Sequence, residues 1–169
     1  MIMAAYLAAA ILALGLVGLG FHRIGGVYLT FRGKRVITCP QCGQAAAVDV
    51  AAGRVALTAV FSRPALRLRG CSRWPEHRGC GRECLKQIEA APEDCLLQTI
   101  LKKWYEGKSC VCCGNPVGAI NWVQHKPCVM SPALRIFEWK DIRPENVPHV
   151  LETCSPVCWN CLVAETHTS

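Results

Sequence analysis

Residues 2–21 are apolar without interruption, and no Lys, Arg, Asp, Glu or His falls among them. As a helix this run would span about 30 Å, the thickness of a bilayer's hydrocarbon core. Beyond it the pattern breaks into short apolar stretches separated by turn residues. Residues 27–38 read as two strands around an Arg32-Gly33-Lys34 turn, and 46–50, 54–60 and 66–69 as further short β-segments, divided by Ala52-Gly53 and Pro64. Leu97, Ile100, Leu101 and Trp104 then recur at three- and four-residue spacing, which predicts a helix over 93–106. Pro92, Glu93 and Asp94 suit its first turn, Lys102 and Lys103 its last, and Gly107 the position just past its end. A shorter helix is expected over 83–90. Strands near 119–123 and 134–139 and a helix near 145–151 complete the pattern, and no repeat of fixed period runs through it.

The expected fold class is therefore α+β: a single N-terminal transmembrane helix followed by two small cysteine-rich metal-binding lobes joined by a helix. The divisions fall at 1–22 for the anchor, 23–91 for a β-rich first lobe, 92–108 for the connector and 109–169 for the second lobe. A cleaved secretory signal would instead carry a basic leading region, a shorter apolar core and a small-residue cleavage site. Gly18-Leu19-Gly20 has the small residues, but Met1-Ile2-Met3-Ala4 lacks a basic one and the apolar run is too long. An uncleaved anchor is the better expectation.

Charge adds an orientation. Between His22 and Gly70 stand eight Lys/Arg (Arg23, Arg32, Lys34, Arg35, Arg54, Arg63, Arg67 and Arg69) against Asp49 alone, a balance of +7. From Cys71 onward eleven basic residues meet eleven acidic ones, so the whole net charge of +7 lies beside the apolar run. Positive flanks stay on the cytoplasmic side, where each can gain about 1 kcal/mol from anionic lipid. The expected topology is single-pass, N-terminus outside, soluble part cytoplasmic, with membrane lipid as a partner. The same block would neutralise nucleic-acid phosphates, but it follows directly on the span, and only Tyr28, Phe31 and Phe61 are available there to stack bases. Nucleic acid is the lesser expectation. Inside the run, Ala5, Ala9 and Ala13 recur every fourth residue and Gly15, Gly18 and Gly20 follow, a small-residue face on which another membrane helix would pack.

The candidate chemistry rests on thirteen cysteines, all after the apolar run. A cytoplasmic location opposes structural disulfides, and an odd count leaves one thiol over. Two-residue spacing instead suits chelation, because both thiolates of one tight turn reach one ion while backbone amides help hold their charge. Such pairs occur at Cys39-Pro40-Gln41-Cys42, Cys110-Val111-Cys112-Cys113 and Cys158-Trp159-Asn160-Cys161. A knuckle ending in Gly114, an expected hairpin and a second CxxC opening a short C-terminal segment resemble the zinc-ribbon or treble-clef class between Cys110 and about Glu165. That resemblance implies Cys110, Cys113, Cys158 and Cys161 as ligands, an insertion within the forty-four residues between the pairs, and Cys112 turned away. In the first lobe Cys39 and Cys42 would be joined by two of Cys71, Cys80 and Cys84, among which spacing does not choose. Cys80 and Cys84, four apart, can share a helix face. Cys95, Cys128 and Cys154 read as small buried apolar residues or as spare thiols.

Zinc, two ions in all, is the expected metal, with iron or an iron–sulfur cluster as the alternative. CPQCG and CVCCG each match a rubredoxin-type knuckle, but sixty-seven residues between Cys42 and Cys110 are too many for that fold, and a ferredoxin-style cysteine run is absent. Gly43, Gly114 and Leu162 stand where covalent haem attachment needs histidine. No Gly-rich phosphate loop, HExxH or GxSxG occurs, and His77, His125 and His149 are isolated. The five tryptophans read as core for small lobes. The sequence thus points to a non-enzymatic accessory or scaffold subunit of a membrane complex, with an electron-transfer subunit as the rival and a membrane-proximal nucleic-acid binder third.

Overall fold

The computed structural model describes residues 2–59, 64–74, 76, 77, 79–118, 120–122 and 126–168. The apolar run continues beyond position 21 as one helix, α1 (Ile2–Phe31). Val27 to Phe31, expected as a strand, form its last turns, because Val27 and Phe31 pack one turn apart on the first-lobe core and carry the helix past Gly25 and Gly26. The stretch Tyr6–Phe31 is long and apolar enough to cross a membrane. Gly33, at φ +98°, takes the left-handed conformation that ends helices.

Arg35, fully buried, completes that end. Its guanidinium donates to the carbonyl oxygens of Phe31 (2.7 Å), Gly33 (3.2 Å) and Thr30 and lies over the Phe31 ring at 5.8 Å. Helix carbonyls of the last turn have no partner within the helix, and a cation there also meets the negative end of the dipole. Burial lowers the Arg35 pKa, and the nearby Cys95 thiol and Asp49 carboxylate act against that. Counted from sequence with the membrane-facing basic block, Arg35 instead fastens the anchor to the domain.

The first sheet has the order β1-β2-β3, with β1 (Lys34–Thr38), β2 (Ala45–Val50) and β3 (Leu68–Cys71) all antiparallel. Between β2 and β3 the expected 54–60 strand is a helix, α2 (Ala52–Thr58). Ala52, Val55, Ala56 and Ala59 are buried, a 3.6-residue stripe in an alanine-rich segment, and they face α1. Val60 lies outside the described residues. Ile37, Ala46, Val48, Val55, Leu68 and Ile88 form the core here, with Val27 and Phe31 of α1 packed against it.

Two helices follow, α3 (Leu85–Ala90) and α4 (Leu97–Tyr105). The latter begins four residues later than its composition predicts. Val36 N–H donates to the Cys95 carbonyl at 2.9 Å and Arg35 bridges Leu96, so β1 draws the expected first turn into extended pairing. Leu101 and Tyr105 are buried on its inner face. Tyr105 Oη donates to the Cys128 carbonyl and accepts from Trp139 Nε1 at 3.0 Å, while Trp104 Nε1 donates to the Leu151 carbonyl at 3.0 Å. The three rings meet edge to face, at 4.8–6.3 Å between centroids.

That aromatic cluster carries α4 onto the second sheet, of order β5-β4-β6, built from β4 (Cys128–Met130), β5 (Ile136–Glu138) and, after α5 (Val147–Thr153), β6 (Ser155–Val157). The 134–139 strand is shorter than predicted. The 145–151 helix is split into a 3₁₀ turn, Pro144–Asn146, and α5. Ala119 and Val123, the ends of the expected 119–123 strand, lie outside the described residues. The last element, α6 (Trp159–Thr168), leaves β6 after one residue. The chain is thus a mixed α+β fold with one N-terminal apolar helix and two small sheets.

Candidate metal centre

All thirteen cysteines are described and are free thiols. Cys110 and Cys113 sit in a tight turn that is closed by local bonds: Cys110 N–H to the Asn115 carbonyl at 2.8 Å and Gly114 N–H to the Cys110 carbonyl at 2.9 Å. Gly114 at φ +72° supplies the left-handed residue the turn requires. Val111 N–H donates to the Pro156 carbonyl at 2.9 Å, tying the turn to β6, which delivers Cys158 at its end and Cys161 in the first turn of α6.

The four sulfurs converge. Cys110 Sγ lies 3.7 Å from Cys161 Sγ, Cys113 Sγ lies 3.7 Å from Cys158 Sγ, and all four are within 4.8 Å of one another. Thiolates at about 2.3 Å from a tetrahedral ion stand about 3.8 Å apart along each edge. Both measured pairs match that edge, so the residues fit one four-coordinate ion. They leave no room between them for a polynuclear cluster. Among the described residues no other group of three or more His, Cys, Asp or Glu brings its ligand atoms so close.

The electrostatics favour a thiolate at one corner. Burial opposes charge on Cys110, but the amides of Cys158, Cys113 and Cys112 around its sulfur outweigh it and bring the thiol down to about 6. The Cys158 N–H lies 3.3 Å from that sulfur. Burial raises Cys158 and Cys161, the latter further because three sulfurs crowd it. A positive ion removes that repulsion, which is why such a set binds metal rather than four protons. Cys112 is exposed and outside the group.

The first-lobe cysteines are arranged less tightly. Cys39 and Cys42 occupy the β1–β2 turn, where the Cys42 and Gln41 amides lower the Cys39 thiol. Cys71 ends β3, and Cys84 precedes α3. Cys39, Cys71, Cys80, Cys84 and His77 line one cavity of about 20 Å³, room for about one water molecule. Cys84 is raised by its burial and then by Cys71, Cys80 and Cys39, in that order. Cys42 does not line the cavity. His149 is exposed on α5, and His125 lies outside the described residues.

Cys128 is the small buried apolar residue expected of it, whereas a neighbouring cavity was not visible from spacing. Cys128, buried with its thiol pushed up to about 12 mainly by desolvation, packs against Cys110 as an uncharged core residue. A cavity of about 440 Å³ opens beside Cys113, Cys158, Cys161 and Trp159. Position alone did not mark this cavity, although Trp159 between two cysteines was a signal for an apolar wall.

No protein-family model, curated protein or solved structure matches this chain.

Proposed function

We propose that the chain is a membrane-anchored, metal-stapled accessory subunit that serves a membrane complex as a scaffold rather than as an enzyme. The observation that carries this reading is the closed set of four sulfurs at Cys110, Cys113, Cys158 and Cys161, on a fold that begins with a membrane-length helix. Four protein thiolates leave no open position for water or substrate, which is the pattern of structural rather than catalytic zinc. The zinc-ribbon likeness of the C-terminal lobe belongs to the same reading. A second ion would take its ligands from Cys39, Cys42, Cys71, Cys80 and Cys84. The cavity that Cys39, Cys71, Cys80 and Cys84 share, and that Cys42 does not line, favours those four.

Purified protein is expected to contain two equivalents of zinc and neither iron nor acid-labile sulfide, by elemental analysis with a visible spectrum. The rival is electron transfer through a single iron held by the same tetrahedral set. Cys113 is exposed beside the 440 Å³ cavity, an edge through which an electron would leave. Stoichiometric iron with strong visible absorbance would establish that rival instead.

The anchor carries two further expectations. A reporter fused after Ser169 should be active on the cytoplasmic side alone, since the basic excess flanks the span there. Activity on the opposite side would reverse the topology and reopen the disulfide question. Ala9 and Ala13 are exposed on α1, and Ala9→Leu or Ala13→Leu should release the protein from a larger complex in mild detergent. Migration of the wild type as a detergent-bound monomer would leave a freestanding tethered metal protein.

A further inference from the structure

The basic block of the first lobe is not spread evenly over its surface. Five arginines from four separate stretches of chain line one cavity of about 570 Å³. Arg32 comes from the residue after α1, Arg54 from α2, Arg67 and Arg69 from the strand β3 and its approach, and Arg82 from the loop before α3. Asp49 is the sole carboxylate on its wall, 3.5 Å from Arg69. The cavity therefore carries a net charge of +4.

Gathering like charges is unfavourable unless something answers them. Solubility alone would be served by dispersed lysines. The residues here are all arginine, whose planar fork binds phosphate oxygens in pairs. Two are steadied on aromatic rings: Arg32 lies over Tyr28 at 6.0 Å and Arg82 over Trp74 at 5.9 Å. Arg82 also holds a left-handed backbone, φ +56°, that a non-glycine residue adopts only at a cost. The cavity's size falls in the range of about 300–1,000 Å³ typical of small-ligand sites.

Its position indicates the source of the phosphate. The charge-free run of α1 ends at Phe21, the turns from Val27 to Phe31 pack on the first lobe, and Tyr28 on the cavity wall, 43 % exposed, stands about 10 Å along the helix beyond that end. A helix leaves the bilayer at the level of the lipid phosphates, where tyrosine and arginine concentrate. We propose that this cavity binds a phosphate-bearing anion, presented at the membrane surface as the headgroup of an anionic phospholipid or reaching it as free phosphate. The lipid form of the proposal rests on reading α1 as a membrane anchor. The phosphate chemistry does not.

The test uses the full metal-loaded chain in two arms. In the first, protein in nanodiscs of mixed phosphatidylcholine and phosphatidylglycerol is released into native mass spectrometry, and the retained lipids are counted. In the second, inorganic phosphate is titrated against the detergent-solubilised protein while its melting temperature is followed. The wild type should retain phosphatidylglycerol over phosphatidylcholine, and free phosphate should stabilise it saturably. Arg54→Gln with Arg67→Gln, both exposed and so tolerated by the fold, should weaken either response about tenfold. Asp49→Asn, which removes the one opposing charge, should strengthen it. Arg135→Gln in the second lobe takes away the same charge as either single change and should do nothing. Lipid selectivity with phosphate competition identifies the headgroup, whereas a phosphate response without lipid selectivity supports the site with a soluble source. That second result stands even if the protein proves soluble without detergent, so the anchor reading fails separately. Absence of both responses, equal loss in Arg135→Gln, or saturation by single-stranded RNA alone would overturn the proposal.

Discussion

Cys110→Ser should strip one metal equivalent from the protein and unfold the part of the chain that follows Ser109. The second sheet consists of three strands of three residues each. Its fully buried centre beside the sulfurs is Cys110, Cys128 and Val157, with Met130, Ile136, Trp159 and Leu162 partly covering it. Val129, Val147 and Tyr105 are buried in the same part of the chain, but a core of this size is small, and small lobes of this kind depend on a staple. Structural zinc contributes about 10–16 kcal/mol of apparent binding free energy in small thiolate-held folds, and that energy is folding energy. Serine keeps the size of the side chain but not the soft thiolate, and it does so at the corner whose sulfur the surrounding amides charge most readily. Metal content by elemental analysis, near-ultraviolet circular dichroism of the tryptophans and amide exchange at Val129 should all report the loss. Cys112→Ser, two positions along on an exposed side chain, should change none of them. If Cys112→Ser removed metal and Cys110→Ser did not, the ligand set derived from the sulfur geometry would be wrong.

The contrast between those two neighbours shows what kind of information the sequence carries. Chelation by a turn is local, so CxxC followed by glycine was readable at Cys110–Gly114, and the convergence of that turn with Cys158 and Cys161 followed from element order. The apolar run was readable for the same reason. Elements decided by distant partners were not. The start of α4 moved from 93 to Leu97 because β1, some sixty residues earlier, captures Cys95 and Leu96. The three-residue strands β4 and β6 have no periodicity long enough to detect, and they exist through their pairing. Residues 54–60 carry the strand formers Val55, Thr58 and Val60, whereas alanine at 52, 56 and 59 placed the helical stripe against α1. The arginines illustrate the limit for function. Their number was plain, but folding decides that five of them share one cavity and a sixth, Arg35, is buried.

That sixth arginine carries the second large effect. Arg35→Leu should lower stability by about 2–4 kcal/mol, because the half-buried carbonyls of Thr30 and Phe31 lose their donor, at about 1–3 kcal/mol for a carbonyl fully cut off from water, while exposed Gly33 can turn to water. Thr30, Phe31 and Gly33 offer those oxygens at the end of α1, and no other donor to them is seen among the described residues. Leucine replaces the apolar stem but supplies no hydrogen bond, and it also removes the cation from the dipole's negative end. For a chain of this length the loss corresponds to a fall of about 10 °C in melting temperature. Natural domains hold about 5–15 kcal/mol in all, so the change is a large fraction of the whole. Its location should be visible as well as its size. Amide exchange should accelerate first at Val36 and Ile37, and protease should cut between Phe31 and Lys34, while the Cys110 centre keeps its metal. Arg35→Lys should fall between, since one ammonium cannot reach three carbonyls in the fixed fork of a guanidinium. An Arg35→Leu protein as stable as the wild type, with the α1–β1 junction still protected, would mean that the anchor is held by Val27 and Phe31 packing on the core and that the arginine is dispensable.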